Sequence, residues 1–294
     1  MKLKVSSLID AVDYEEYDNK QLLFIPLSVL AVSLLIIAIW FVTTGSPVIL
    51  GIEFVGGTEL RVTPDGDVSN PQQQLQSSFE TTPSSIQSVP SDNSYIVSFK
   101  GGGTDTGALT QQAEQAGFTV QSSSQISPSF GGEAQTTALF GMLIAFIAMS
   151  IVVFLLFRTV VPSVAVVASA FSDMVVPIAL MNLLGIELTL GTVAALLMLL
   201  GYSVDSDMLL NDYVVRRSNE FYSGVYEAMD TGLTMTTTSI IAMAVLAIGA
   251  TIIGIPLLQD IGIVIGLGLL VDVMNTYMMN VSLLRWYRFG AVKA

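Results

Sequence analysis

Six long apolar runs constrain this chain more than any other feature of its sequence. They lie near residues 22–42, 136–157, 162–184, 188–213, 232–254 and 257–284. About 20 apolar residues in a helix cross the ~30 Å hydrocarbon core of a bilayer. The runs therefore predict an α-helical membrane protein with six transmembrane helices. The stretch after the first run, "FVTTGSPVIL", has no small-residue cleavage pattern, so we expect an uncleaved anchor there.

The composition supports this class. Of the 294 residues, 52% are hydrophobic and 12% are charged, whereas soluble domains carry about 25% charged residues. The chain has no cysteine and no histidine, which excludes Ser-His and Cys-His nucleophilic pairs. It also has no GxxxxGK[ST] phosphate-binding loop. We therefore expect no enzymatic activity, no cofactor and no metal site.

The charge points to a particular environment. The formal charge is −13, from 24 acidic and 11 basic residues. Such an acidic surface is typical of salt-loving organisms, because high salt screens its self-repulsion. The absence of a basic patch argues against a nucleic-acid partner.

The segment between the first two runs has a different character. It is rich in Ser, Gln, Thr, Gly and Pro and predicts one soluble α+β domain over residues 44–134. The predicted strands are residues 59–62, 85–89, 95–99 and 118–122, and the predicted helices are residues 71–79 and 106–116. This β-α-β-β-α-β order is the ferredoxin-like pattern.

The placement of Lys and Arg predicts the orientation in the membrane. With the N-terminus in the cytoplasm, nine basic residues lie inside and two, Arg61 and Lys100, lie outside. The nine are Lys2, Lys4, Lys20, Arg158, Arg216, Arg217, Arg285, Arg288 and Lys293. We thus expect a multi-pass protein of the cytoplasmic membrane, with both termini cytoplasmic.

The expected organisation has five parts. They are a cytoplasmic N-terminal segment (1–20), transmembrane helix 1 (21–43), an extracytoplasmic domain (44–134), transmembrane helices 2–6 (135–285) and a cytoplasmic tail (286–294).

Several carboxylates lie within the apolar runs. In the fourth run, Asp205 precedes Arg216 by 11 residues, which places it about 16 Å inside the cytoplasmic interface. A charged group at that depth is expensive and is a functional candidate by default. Asp207 points to another side of the same helix, and Asp173 and Asp272 lie mid-span in the third and sixth runs.

These residues have a structural alternative. Asp207, Asp173 and Asp272 could serve only to hold helices together. Thr234 belongs to the hydroxyl-rich stretch "TGLTMTTTS", for which helix packing is an alternative to a place in a proton or ion pathway. We take Asp205 as the main ion-site candidate, with the other four as possible members of the pathway.

Three motifs resemble those of a known family. "GIEFVGGTEL" after the first run resembles the G-x-[DE]-F-x-G-G-T signature of the SecD/SecF protein-export membrane proteins. "GYSVDSDMLL" in the fourth run and "ISPSFGGE" before the second resemble other motifs of that family, in the same order. The matching signature residues are Gly51, Glu53, Phe54, Gly56, Gly57, Thr58, Gly201, Tyr202 and Ser203.

The resemblance implies a half-unit of the resistance-nodulation-division (RND) fold, with six helices and one exterior domain. It implies pairing with a SecD-like subunit beside the Sec translocation channel, and contact with exported polypeptides and membrane lipids. Bacterial members use proton motive force to assist late steps of export. One alternative is an RND-type transporter of lipids or small hydrophobic molecules. Another is a scaffold for the Sec channel.

The chain departs from the bacterial pattern in two places. Bacterial members read Asn-Asp-Thr where this chain has Asp205-Ser206-Asp207, so Ser206 aligns with the relay aspartate. The arginine that precedes the bacterial hydroxyl run is also missing, since the aligned position falls near Thr234. We expect Asp205 to act with a partner from another chain, or the coupling ion to differ.

Overall fold

The computed structural model describes residues 14, 16–66, 68, 70–101, 105–217 and 220–290, without the side chains of residues 216 and 217. The predicted N-terminal segment and tail lie partly outside this range. The helices are α1 (Asn19–Thr44), α2 (Ile52–Val55), α3 (Pro71–Ser78), α4 (Thr106–Gln115), α5 (Pro128–Phe157), α6 (Val160–Leu184), α7 (Leu190–Asn211), α8 (Phe221–Ile253), α9 (Pro256–Met274) and α10 (Val281–Phe289). The strands are β1 (Gly57–Pro64), β2 (Ser85–Val89), β3 (Ser94–Lys100) and β4 (Phe118–Ile126).

Six helical segments in the described residues are long and apolar enough to span a bilayer. They correspond to α1 and α5–α9, with α9 continuing through a π-helical turn (Asn275–Asn280) into α10. The predicted six-helix membrane fold is therefore confirmed. The fifth span begins at Phe221 rather than near residue 232, because Phe221, Val225 and Ala228 bury an amphipathic extension against the bundle.

The bundle has a buried centre and an apolar outside. Helix α6 is the most buried span, while α5 and α8 expose most of their surface. Helix α9 packs against α7 and α8, and α6 packs against α1, α7 and α9. A second π-helical turn (Asp212–Arg217) extends α7. The centre of the bundle is thus formed by α6, α7 and α9.

The domain between α1 and α5 is a four-stranded antiparallel sheet with the order β2-β3-β1-β4. This is the strand order of a ferredoxin-like fold, and the predicted βαββαβ order is observed. Strand β1 lies in the centre, and its alternation places Leu60 and Val62 in an apolar core with Leu75, Phe99 and Phe118. We call this unit the exterior domain.

Candidate functional site

Three aspartates from three helices meet in the centre of the bundle. Asp173 lies on α6, Asp207 on α7 and Asp272 on α9, and each side chain is at most 1% exposed. We call Asp173, Asp207 and Asp272 the carboxylate cluster. Asp207 and Asp272 share the Thr276 hydroxyl as a hydrogen-bond donor, and Asp173 is held by donors of its own.

Asp173 is the most fully hydrogen-bonded member. One oxygen, Oδ2, accepts from the Ser203 hydroxyl at 2.7 Å and from the Ser169 hydroxyl at 3.4 Å. The other, Oδ1, accepts from the Asn275 amide at 2.6 Å. Because Ser203 lies one helical turn before Asp207 on α7, the same face of that helix serves two carboxylates.

Asp207 has one occupied and one free oxygen. Its Oδ1 accepts from the Thr276 hydroxyl at 2.8 Å and from the Asn280 amide at 2.9 Å. Its Oδ2 is buried and has no hydrogen-bond partner among the described residues. An unmatched carboxylate oxygen in a dry site is costly, so it marks the position where a proton or a cation would be most favourable.

Asp272 connects to the others through hydroxyls. The Ser206 hydroxyl lies 2.9 Å from both of its oxygens, and the Thr276 hydroxyl lies 3.4 Å from its Oδ1. Ser206 and Thr276 are themselves 3.3 Å apart. Ser206 therefore contacts a carboxylate supplied by another helix.

The π-helical turn after α9 supplies three of the side chains that donate hydrogen bonds to the cluster, Asn275, Thr276 and Asn280. Single π-turns inside helices are rare and are frequent at functional sites. Asn275 and Asn280 each also keep a buried amide oxygen without a partner in the described structure. The site thus has spare acceptor atoms and few spare donors.

The cluster is electrostatically unbalanced. The ion pairs Arg61–Asp92 and Lys100–Glu187 both lie outside the bundle centre, and the hydrogen-bond donors to the three aspartates are neutral side chains. Burying unpaired charges costs several kcal/mol per ion. Three ionised carboxylates therefore require protons, or a cation, to be neutralised. No group of three or more acidic side chains in the described part converges closely enough to hold a metal ion.

The other predicted pathway residues lie away from the cluster. Asp205 is exposed at the surface of the bundle and makes no side-chain hydrogen bond or ion pair with the described residues. Thr234 is also exposed, and its hydroxyl donates to the Asp230 carbonyl of its own helix at 2.7 Å. The structure thus brings together Asp173, Asp207 and Asp272, and places Asp205 and Thr234 elsewhere.

Ser169, Thr276 and Asn280 belong to the site, and nothing in the motifs predicts them as members. The sequence does carry a signal for the buried face of α7. The buried residues Leu196, Leu199, Leu200, Ser203 and Asp207 recur at three- and four-residue intervals. Depth in the membrane favoured Asp205, but the periodicity places Asp207 on the buried face.

The signature motifs fall into two places. Ser203 lies in the cluster, whereas Gly201 and Tyr202 are exposed on α7. The residues from Gly51 to Thr58 lie where the exterior domain meets the bundle, at the start of α7. One motif therefore contacts the first residue of this helix, and the other lies in its middle.

Six membrane helices, a ferredoxin-like domain after the first and buried acids between the fourth and its neighbours define a multi-pass membrane protein with an RND-like half-fold. A solved structure supports this class: SecDF, a translocon-associated membrane protein from Thermus thermophilus, superimposes with a TM-score of 0.69. The identity is 16% over 97% of this chain, and the chain spans 41% of that longer one. This similarity shows the fold.

Sequence comparison identifies the family. The model for "Protein export membrane protein SecD/SecF, C-terminal" matches residues 106–290. The protein-export membrane protein SecF of Haloquadratum walsbyi is 58% identical over 97% of this chain and 98% of its own length. That of Haloferax volcanii is 55% identical over 98% and 99%, and that of Pyrococcus furiosus is 38% identical over 92% of both. The chain belongs to the SecD/SecF family, as its motifs predicted.

Proposed function

We propose that this chain is an auxiliary subunit of the Sec protein-translocation machinery, which assists passage of exported polypeptides across the cytoplasmic membrane. The observation that carries this proposal is the similarity, over nearly the full length, to proteins named protein-export membrane protein SecF. The same names favour export over transport of lipids or small hydrophobic molecules. The chain would act by conformational change rather than by covalent chemistry, with both termini in the cytoplasm.

A SecD-like subunit is the proposed partner. The chain corresponds to 41% of the single SecDF chain, as expected of one half of a two-part assembly. Asp205 is exposed on the membrane-spanning surface of α7, near Gly201 on the same face. A carboxylate is unfavourable against lipid, and a glycine permits close approach of another helix. We therefore assign this face of α7 to contact with the SecD-like subunit.

The carboxylate cluster is the proposed coupling site. Binding and release of a proton or a monovalent cation at Asp207 would change the charge balance among three buried acids. Changing that balance would favour a different arrangement of α6, α7 and α9, because each helix contributes one acid. The movement would then reach the exterior domain, which would hold the emerging polypeptide.

Co-purification tests the partner. Tagged chain would be isolated from native membranes under high salt, and associated proteins would be identified by mass spectrometry. A SecD-like chain in constant ratio supports the proposal. A homo-oligomer with bound lipid and no SecD-like chain would contradict it and favour the transporter alternative.

An Asp207→Asn variant tests the coupling site. The Asn oxygen can accept the same bonds from Thr276 and Asn280, while the amide nitrogen replaces the unpartnered Oδ2. The fold should therefore persist while the titratable group is lost. We expect the export rate, measured by pulse-chase, to fall to that of cells lacking this chain. Asp230→Asn, at an exposed site on α8, is the matched control and should export normally; equal rates in both variants would exclude the coupling role.

A further inference from the structure

The exterior domain is joined to the bundle through the short helix α2, which follows the first span. The chain leaving α1 first pairs with the α6–α7 loop: the Gly51 N–H donates to the Leu188 carbonyl at 2.9 Å, and the Leu188 N–H donates to the Ile49 carbonyl at 2.7 Å. The Asn182 amide donates to the Pro47 carbonyl at 2.9 Å and accepts from the Ile49 N–H at 3.1 Å. The base of the domain is thus fixed beside the start of α7.

Glu53 makes the direct contact with α7. Its carboxylate accepts a hydrogen bond from the N–H of Leu190, the first residue of that helix. The Thr189 hydroxyl already serves as the N-cap by accepting from Thr192 at 3.1 Å, so Glu53 satisfies a separate free N–H group. A negative charge is also favourable at the positive end of the helix dipole.

Helix α2 is held tightly around this contact. Phe54 is 2% exposed and belongs to the same apolar cluster as Val193 and Leu196 of α7. On the other side, Gly131 of α5 lies so close that a Cβ there would be 2.8 Å from the Gly56 nitrogen. Helix α2 therefore packs closely between α5 and α7.

The contact leads directly into the centre of the exterior domain. Gly57 follows α2 with φ of 151° and begins β1, which pairs with both β3 and β4. A side chain at Gly57 would collide with the Phe99 carbonyl of β3, so α2 and the sheet are closely joined. In the other direction, Asp207 lies 17 residues along α7 from Leu190, about 26 Å away.

An ion pair also joins the exterior domain to the bundle, beside the Glu53–Leu190 hydrogen bond. The Lys100 ammonium, at the end of β3, pairs with Glu187 of the α6–α7 loop at 2.8 Å. Both side chains are about one-quarter exposed, and ion pairs open to solvent contribute little in salt. The Glu53 contact differs from it in being made to a backbone N–H group at the start of α7.

We propose that Glu53 is a positioning residue that ties the exterior domain to the outer end of α7, so that displacement of this helix at the carboxylate cluster moves the domain. This inference rests on the proposed coupling function and gives the first family motif a mechanical role. A displacement of α7 would pass through α2 to β1, the strand that follows it in the exterior domain.

Spin labelling tests whether Glu53 links the exterior domain to α7. The chain has no cysteine, so it accepts labels only at introduced positions. Cysteines would replace Gln111 on the exterior domain and Ile253 on α8, both exposed, in the complex with its partner in nanodiscs. Distances would be measured by electron spin resonance at low and high proton and sodium concentrations. The wild-type distance should shift between conditions, and Asp207→Asn should abolish the shift.

Substitutions at Glu53 then decide the inference. Glu53→Ala removes the acceptor and should abolish the shift, while Glu53→Gln keeps an acceptor and should retain it. Glu114→Ala, at an exposed position on α4, is the matched control and should behave as wild type. An unchanged shift in Glu53→Ala would overturn the tie and leave the coupling proposal intact. A wild-type protein without any shift, or a shift that persists in Asp207→Asn, would instead refute the coupling proposal.

A measurement on the wild-type chain covers the case in which Glu53→Ala does not fold. Hydrogen exchange at the first turn of α7 and along β1 should change together between the two conditions. Exchange that changes in β1 but stays constant in α7 would contradict a link between them.

Discussion

The exterior domain and the membrane bundle distribute polar groups in opposite ways. The exterior domain buries Leu60, Phe99 and Phe118 and presents Ser, Gln and Thr to water. The bundle buries aspartates at its centre and presents residues such as Phe24 and Ile144 outwards, at 71% and 63% exposure. The two parts therefore bury opposite kinds of side chain, because one folds in water and the other in a bilayer.

The difference concerns what drives packing in each part. In water, burying apolar surface is the main favourable term. Within a bilayer, lipid tails are as apolar as leucine, so helices associate through close packing and hydrogen bonds. The polar centre of the bundle is thus compatible with its stability.

A matched pair of Leu→Ala substitutions tests whether the two parts differ in what stabilises them. It has the largest expected effect on stability. Leu60 in the exterior domain and Leu196 in the bundle are both fully buried. Leu60→Ala loses transfer energy and creates a cavity, so we expect a loss of about 3 to 5 kcal/mol. Leu196→Ala should lose mainly the cavity contribution, about 2 kcal/mol.

Hydrogen exchange of the full chain in bicelles, followed over β1 and α7, measures both losses. Equal destabilisation at the two positions would show that the bundle is held together as a water-soluble core is.

The parts of the fold that the sequence predicted follow from these same rules. Apolar runs near 20 residues indicate the six spans, and the exterior strands lie within a few residues of their predicted bounds because alternating burial leaves a clear pattern. Helix α8 begins at Phe221, before the apolar run near residue 232, because residues 221–231 are amphipathic rather than continuously apolar. Contacts between distant segments, such as Glu53 with Leu190, leave no local pattern.

Glu59 gives a smaller, pH-dependent effect at the boundary between the two parts. Burial, and then the nearby carboxylates of Glu53 and Glu187, raise the pKa of Glu59 above its ordinary value of 4.5. The folded exterior domain therefore holds this proton more tightly than the unfolded chain does. The contribution of Glu59 to the stability of the domain should be greatest below pH 4.5 and should be lost as the pH rises through the raised pKa.

The Glu59→Gln variant isolates this effect from the other acidic groups. The difference in unfolding free energy between variant and wild type should be smallest at low pH and should grow, in favour of Gln, towards neutral pH. Salt should reduce the difference, since Glu59 is only partly buried. Parallel stability curves at low salt would mean that the folded domain does not raise the pKa of Glu59.

Asp205 and Asp207 show the same contrast between exposed and buried side chains within a single turn of α7. They are two residues apart, yet one faces outwards and the other lies in the carboxylate cluster. The sequence predicted that both lie deep in the membrane, but depth does not distinguish the faces of a helix. The role of Asp205 in coupling stays a prediction, which depends on a surface that another subunit would cover.

The smallest expected effect is that of Asp205→Asn on the chain without its partner. Asp205 makes no side-chain hydrogen bond with the described residues, and substitutions away from buried contacts usually change stability by less than about 0.5 kcal/mol. Steric-trapping measurements of unfolding in bicelles should therefore give the same free energy for variant and wild type. A loss of more than about 1 kcal/mol would mean that Asp205 is bound inside the chain. An unchanged free energy, together with altered binding of the SecD-like subunit, would place Asp205 at the interface between the two halves.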